Sequence, residues 1–111
     1  MAECGWPSLR CEVLAGAPGE CRLRVAGEVD LATAPQLAGF LSAQIARAAP
    51  GARVALDLAR VGFFSAAGVR VLLDAVELAG CRGVALVVEP VSSSAAMVIA
   101  LCGIADAVGP G

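Results

Sequence analysis

The sequence predicts an α/β domain in which an N-terminal antiparallel hairpin leads into parallel strands joined by helices. Three observations predict it. Leu9–Val13 and Cys21–Val25 alternate apolar and charged residues with the period of a half-buried strand, separated by a stretch rich in Gly and Pro. Two later segments, Leu37–Ala48 and Val69–Val76, repeat apolar residues at helical spacing. Val54–Leu58 and Val84–Val88 are apolar runs of strand length that alternate with those helices. The order β-β-α-β-α-β-α, with room for a short last strand at 105–108, gives a mixed sheet packed with three to four helices through right-handed crossovers. A chain of 111 residues is expected to form one domain over 1–111, with its core at about 9–108.

The elements follow in order. Cys11 and Val13 face inward from the first strand and Cys21, Leu23 and Val25 from the second, so Glu12 comes opposite Arg22 or Arg24. Thr33 followed by Gln36 reads as a capping box, with Pro35 in the first turn of a helix whose stripe is Leu37, Phe40, Leu41, Ile45 and Ala48. Pro50-Gly51 stops it, and Val54, Leu56 and Leu58 form the next strand. Ser65 is the expected N-cap of a second helix, with Phe64 and Val69 as its hydrophobic staple. Its buried stripe is Val69, Leu72, Leu73 and Val76, its polar face Arg70, Asp74 and Glu77, and Gly80 ends it. The unbroken run Val84–Val88 predicts an interior strand covered on both faces and broken by Glu89-Pro90. One of Ser92, Ser93 or Ser94 caps a third helix through Cys102, closed by Gly103. That helix carries no charge, so either the domain encloses it or part of it is an association surface that permits a homodimer.

Composition narrows the function. At 59% hydrophobic and 16% charged, the chain is not disordered. All eight basic residues are Arg, scattered in a chain of net charge −2, which argues against nucleic acid and against a polybasic membrane patch. With no His and no Tyr, neither a Ser-His-Asp triad nor a His-ligated zinc site can be built. The five Cys form no C-x-x-C pair, so no metal or redox motif is expected, and reduced thiols fit a cytoplasmic setting. The N-terminus has Glu3 where a signal peptide needs positive charge, and the longest uncharged run, Ala95–Ala105, is too short to cross a bilayer. No Gly-rich phosphate loop is present, so no cofactor and no enzymatic activity are expected.

Two segments stand out. Glu28 and Asp30 lie just past a strand, a pattern that suits a partner contact better than acid–base catalysis. The segment Phe63–Gly68 leaves a strand and opens a helix. Ser65 there is either a simple N-cap or a serine whose phosphate would meet the positive end of the helix dipole. Ala66, Ala67 and Gly68 are small enough for a partner backbone to come close.

Three segments together, Gly27-Glu-Val-Asp-Leu-Ala-Thr-Ala-Pro-Gln-Leu37, Val54-Ala-Leu-Asp-Leu58 and Val61-Gly-Phe-Phe-Ser-Ala-Ala-Gly-Val-Arg-Val-Leu-Leu73, resemble the STAS domain, in its free-standing form as an anti-sigma-factor antagonist. The resemblance runs from about Leu9 to Val108. It implies a partner switch: the antagonist binds a serine kinase that otherwise sequesters a sigma factor, and the sigma factor is released. In the family the kinase ends the complex by phosphorylating a loop that usually reads Asp-Ser-Ser-Gly or Asp-Ser-Thr-Gly. Here Ser65 stands at the Asp, Ala66 at the acceptor serine, Ala67 at the next hydroxyl residue and Gly68 at the Gly. The expectation is therefore an anti-sigma-factor antagonist without the usual phosphorylation, Ser65 being the nearest substitute acceptor. Its expected docking residues are Glu28, Asp30, Thr33, Phe64, Ser65, Ala66, Ala67, Gly68 and Arg70. The alternatives are a STAS regulatory subunit of a membrane transporter and a small-ligand sensor.

Overall fold

The computed structural model describes residues 9–14, 16 and 18–91, with side chains through residue 88. Four strands and two helices run in the order β1 (Arg10–Leu14), β2 (Glu20–Val29), α1 (Ala34–Arg47), β3 (Arg53–Phe64), α2 (Ala66–Cys81) and β4 (Ala85–Val91). The sheet order is β1-β2-β3-β4, antiparallel in the first pair and parallel in the other two. This is the expected mixed sheet. The expected third helix and last strand lie outside the described residues, among which there are two helices rather than three or four.

The hairpin register places Glu12 opposite Arg24, not Arg22. Because β1 is the outermost strand, its alternation buries less than expected, and Val13 is exposed. In β2, by contrast, Leu23, Val25 and Val29 are fully enclosed. They meet Val54, Leu56, Leu58, Val61 and Phe64 of β3, Leu37, Leu41 and Ile45 of α1, and Val69 and Leu72 of α2 in one core. The two helices pack against each other on that side, as two successive right-handed crossovers require.

Several local expectations are corrected. Thr33 occupies the N-cap position of α1 but makes no capping bond, so there is no Thr33–Gln36 box. The Gln36 amide instead clamps the chain before β1, donating from Nε2 to the Leu9 carbonyl at 2.8 Å and accepting from the Leu9 N–H at 3.2 Å. Ser65 likewise sits at the N-cap of α2 without a capping bond. The buried stripe of α2 is Gly68, Val69, Val71, Leu72, Ala75 and Ala79, and Leu73 is 38% exposed. The stripe turns that way because α2 packs against α1 on one flank as well as on β3 and β4. β4 is the last strand of the described sheet, with Ala85 exposed and Val87 half-buried, and it runs through Glu89-Pro90 to Val91. The strand covered on both faces is β3, where Val54, Ala55 and Leu56 are all buried. It lies between two parallel neighbours.

Candidate partner-docking site

Two turns separated by more than thirty residues meet at one end of the sheet. The Ser65 N–H donates to the Val29 carbonyl at 2.9 Å, joining the start of α2 to the end of β2. Asp30 follows directly. Its Oδ1 accepts from the N–H groups of Ala32 and Thr33, both at 3.0 Å, and its carbonyl accepts from the Ala34 N–H at 2.8 Å. Asp30 therefore does the local work that the sequence suggested for Thr33, because an Asx turn satisfies the amides that lead into a helix. The Thr33 hydroxyl, buried below, donates to the Glu28 carbonyl at 2.7 Å and accepts from the Asp30 N–H at 3.0 Å. Thr33, expected among the docking residues, is buried and shapes the turn from beneath.

The start of α2 is equally specific. Phe64, the last residue of β3, is 1% exposed, and Gly68 is buried against it. A Cβ on Gly68 would lie 2.7 Å from Val29 Cγ1 and 2.9 Å from Phe64 Cζ. The missing side chain of Gly68 thus serves close packing within the domain, not close approach by another protein. Ala66 is exposed and Ala67 half-buried. Ser65 has an extended backbone, with φ −94° and ψ 175°. Its Oγ is buried with no hydrogen-bond partner among the described residues. Such an oxygen gives up its hydration without a replacement bond, which costs free energy. On the first turns of α2, Arg70 stands out in solvent, 3.5 Å from Asp74.

Among the expected site residues, the structure gathers Glu28, Asp30, Ser65, Ala66 and Ala67 at this end, with Arg70 just along α2. It places Phe64, Gly68 and Thr33 inside, where they support the surface. Sequence reasoning missed two exposed residues here: Phe63, 50% exposed, and Leu31, 81% exposed. Leu31, an isolated leucine in a turn between two polar capping residues, carried a readable signal. Phe63 carried one too, since the alternation of Val54, Leu56 and Leu58, continued to Phe64, leaves Phe63 on the opposite face. No group of His, Cys, Asp and Glu among the described residues could hold a metal ion, and no helix among them is long and apolar enough to cross a membrane.

Comparison with known families decides the lineage of this arrangement. The family described as Mlab, STAS domain matches residues 13–109. The chain belongs to the STAS domain family. Among solved structures, this STAS domain is similar to an anti-sigma factor antagonist from Mycobacterium paratuberculosis, with 25% identity and a TM-score of 0.71 over 88% of this chain and 80% of that one. It is also similar in fold to the Bacillus cell fate determinant SpoIIAA in the phosphorylated form, with 18% identity and a TM-score of 0.61 over 92% of this chain and 91% of that one. No curated protein matches the chain.

Proposed function

We infer that this STAS domain is an anti-sigma-factor antagonist that docks a kinase-type anti-sigma factor at the end of the sheet formed by the Asp30 turn and the start of α2, and so frees a sigma factor. The likeness to the mycobacterial antagonist supports the class of partner. The complex is not ended by phosphorylation of this loop. One observation carries that reading: the outward position at the start of α2 is Ala66, which has no oxygen, while the neighbouring Ser65 Oγ is turned inside. A kinase must reach a hydroxyl in line with its nucleotide, and misplacement by a residue's rotation lowers the rate steeply.

The test is incubation with the cognate anti-sigma kinase and ATP, followed by intact mass and gel filtration. The expected result is a complex that persists with ATP and no added phosphate, whereas Ala66→Ser gains one phosphate and loses the complex. Phosphate on the Phe63–Gly68 peptide of the unaltered protein would overturn the reading. So would failure to bind any anti-sigma factor together with recovery of a membrane transporter.

A further inference from the structure

The outermost strand of the described sheet, β1, is paired along one edge only. The backbone N–H and C=O groups of its other edge are a template for one more strand. This edge is unfinished on both faces. On the helix side, Val13 is 56% exposed, although Leu23 directly opposite it is fully enclosed. Gln36 bonds to Leu9 just before β1, so the flank of α1 that carries Gln36 looks over this strand. The half-buried Phe40 lies one turn further along that flank. On the other face, Arg24 serves two carboxylates, Glu12 at 3.7 Å and Asp57 at 3.9 Å. Arg10, two residues from Glu12 on that same face, is exposed and has no ion pair among the described residues.

The strand is complementary to itself. Side chains alternate between the faces of a strand, so an antiparallel partner must set residues of the same face opposite each other. For a second copy of β1, the registers centred on its interior residues are those about Cys11, Glu12 or Val13. Centred on Glu12, the pair stacks Glu12 on its own copy, and like charges directly opposite are unfavourable. Centred on Val13, it sets Glu12 against Leu14 twice. Centred on Cys11, it sets Arg10 against Glu12 twice and Leu9 against Val13 twice. That register gives Arg10 a carboxylate, relieves the shared Arg24 and covers Val13. Charge alone would suit many partners. The order Arg-x-Glu, run antiparallel to itself with an apolar pair on the other face, suits a second copy of this chain.

We propose that two copies of this chain associate through β1, antiparallel and centred on Cys11, so that their sheets become one continuous sheet about a two-fold axis. A two-fold interface uses the same patch on both subunits, as this pairing does. One five-residue strand pair buries little area, so the dimer is weak and shifts with concentration. Cys11 is opposite Val25, four residues back from the end of β2 at Val29. The surface is therefore separate from the Asp30 turn and the start of α2, and its test does not depend on the proposed anti-sigma partner.

The experiment is sedimentation equilibrium of the whole chain, kept reduced, over a series of concentrations. The expected result is a monomer–dimer equilibrium. Arg10→Glu and Glu12→Arg, each alone, put like charges opposite each other twice and should weaken self-association by about tenfold or more. An equimolar mixture of those two variants should regain the dimer, because every charge then faces its opposite on the other variant. Val13→Lys, at an exposed position, should abolish the dimer at unchanged melting temperature, since a lysine on a strand edge blocks pairing. It keeps the test decisive if Glu12→Arg, which loses the Arg24 contact, does not fold. A monomer at every concentration would overturn the proposal. So would a dimer indifferent to Arg10→Glu and Val13→Lys, or a mixture that associates no more tightly than either folded variant alone.

Discussion

Gly68→Ala offers the sharpest check on how the start of α2 is built. The new Cβ would lie 2.7 Å from Val29 Cγ1 and 2.9 and 3.0 Å from Phe64 Cζ and Cε1. Carbon atoms pack best at about 3.5–4.0 Å, so three contacts are too short by roughly 0.5–1 Å. Neither neighbour can retreat, because Val29 and Phe64 are enclosed in the core. Overpacking of this kind costs about 1–3 kcal/mol, against which alanine recovers up to about 1 kcal/mol of helix propensity. The net expectation is a loss of about 1–2 kcal/mol, or a fall in melting temperature on the order of 5–10 °C for a domain of this size. Gly39→Ala is the control. Gly39 lies in the middle of α1, exposed, and a Cβ added there would meet nothing within 4 Å. The same chemical change there should stabilise by about 0.5–1 kcal/mol. Urea titrations followed by circular dichroism read both, through midpoints at equal m-values. Gly68→Ala at or above the stability of the unaltered protein would refute the packing argument, since the two substitutions must have opposite signs.

Three further outcomes follow from the same geometry. Thr33→Val keeps the shape but removes the hydroxyl that serves both the Glu28 carbonyl and the Asp30 N–H, and should cost about 1–3 kcal/mol in the same titration. Gln36→Glu loses the Nε2 donor to the Leu9 carbonyl, and should lower stability by about 0.5–1.5 kcal/mol and speed exchange of the Leu9 amide. Burial raises the Cys11 and Cys21 thiols above the ordinary thiol range, with Arg47 partly offsetting the effect at Cys21, while Cys81 is exposed. Since the thiolate is the nucleophile, iodoacetamide at neutral pH should label Cys81 well before Cys11 or Cys21, as peptide mapping would read. Because folding holds those two thiols protonated, their contribution to stability should decline as pH rises past about 9.

Much of the fold was legible in the sequence because it is written in local periodicity. Leu23 and Val25 alternate with charged residues along β2, and Leu37, Leu41 and Ile45 recur at helical spacing along α1. Both patterns point the same side chains to the core whatever the neighbours are. Strand ends were less legible. β2 and β3 run on through Val29 and Phe64, and Glu28, expected in a loop, lies within a strand. The sequence led to the expectation of a docking surface near Asp30 and Ser65 with Phe64 and Gly68 among its residues, and the structure encloses those two.

The physical reason lies in the difference between local and long-range choices. Alternation, helical stripes and Gly/Pro turns are decided within a few residues, so the α/β order and the mixed sheet could be derived from the chain alone. Which side chains of β3 face solvent depends on strand register, where a shift of one residue exchanges the two faces. Each of the two irregularities between β2 and β3 shifts β3 by one residue, so the first turns Arg60 outward and Val61 inward, and the second restores the alternation of Val54, Leu56 and Leu58 with Phe64 inside and Phe63 outside. Capping was decided in the same way. Thr33 and Ser65 both have the right chemistry at the right position, but the Asp30 carboxylate takes over at α1, and close packing under Gly68 accompanies an inward Ser65 hydroxyl at α2. Only the tertiary contacts chose among partners that the sequence left equally available.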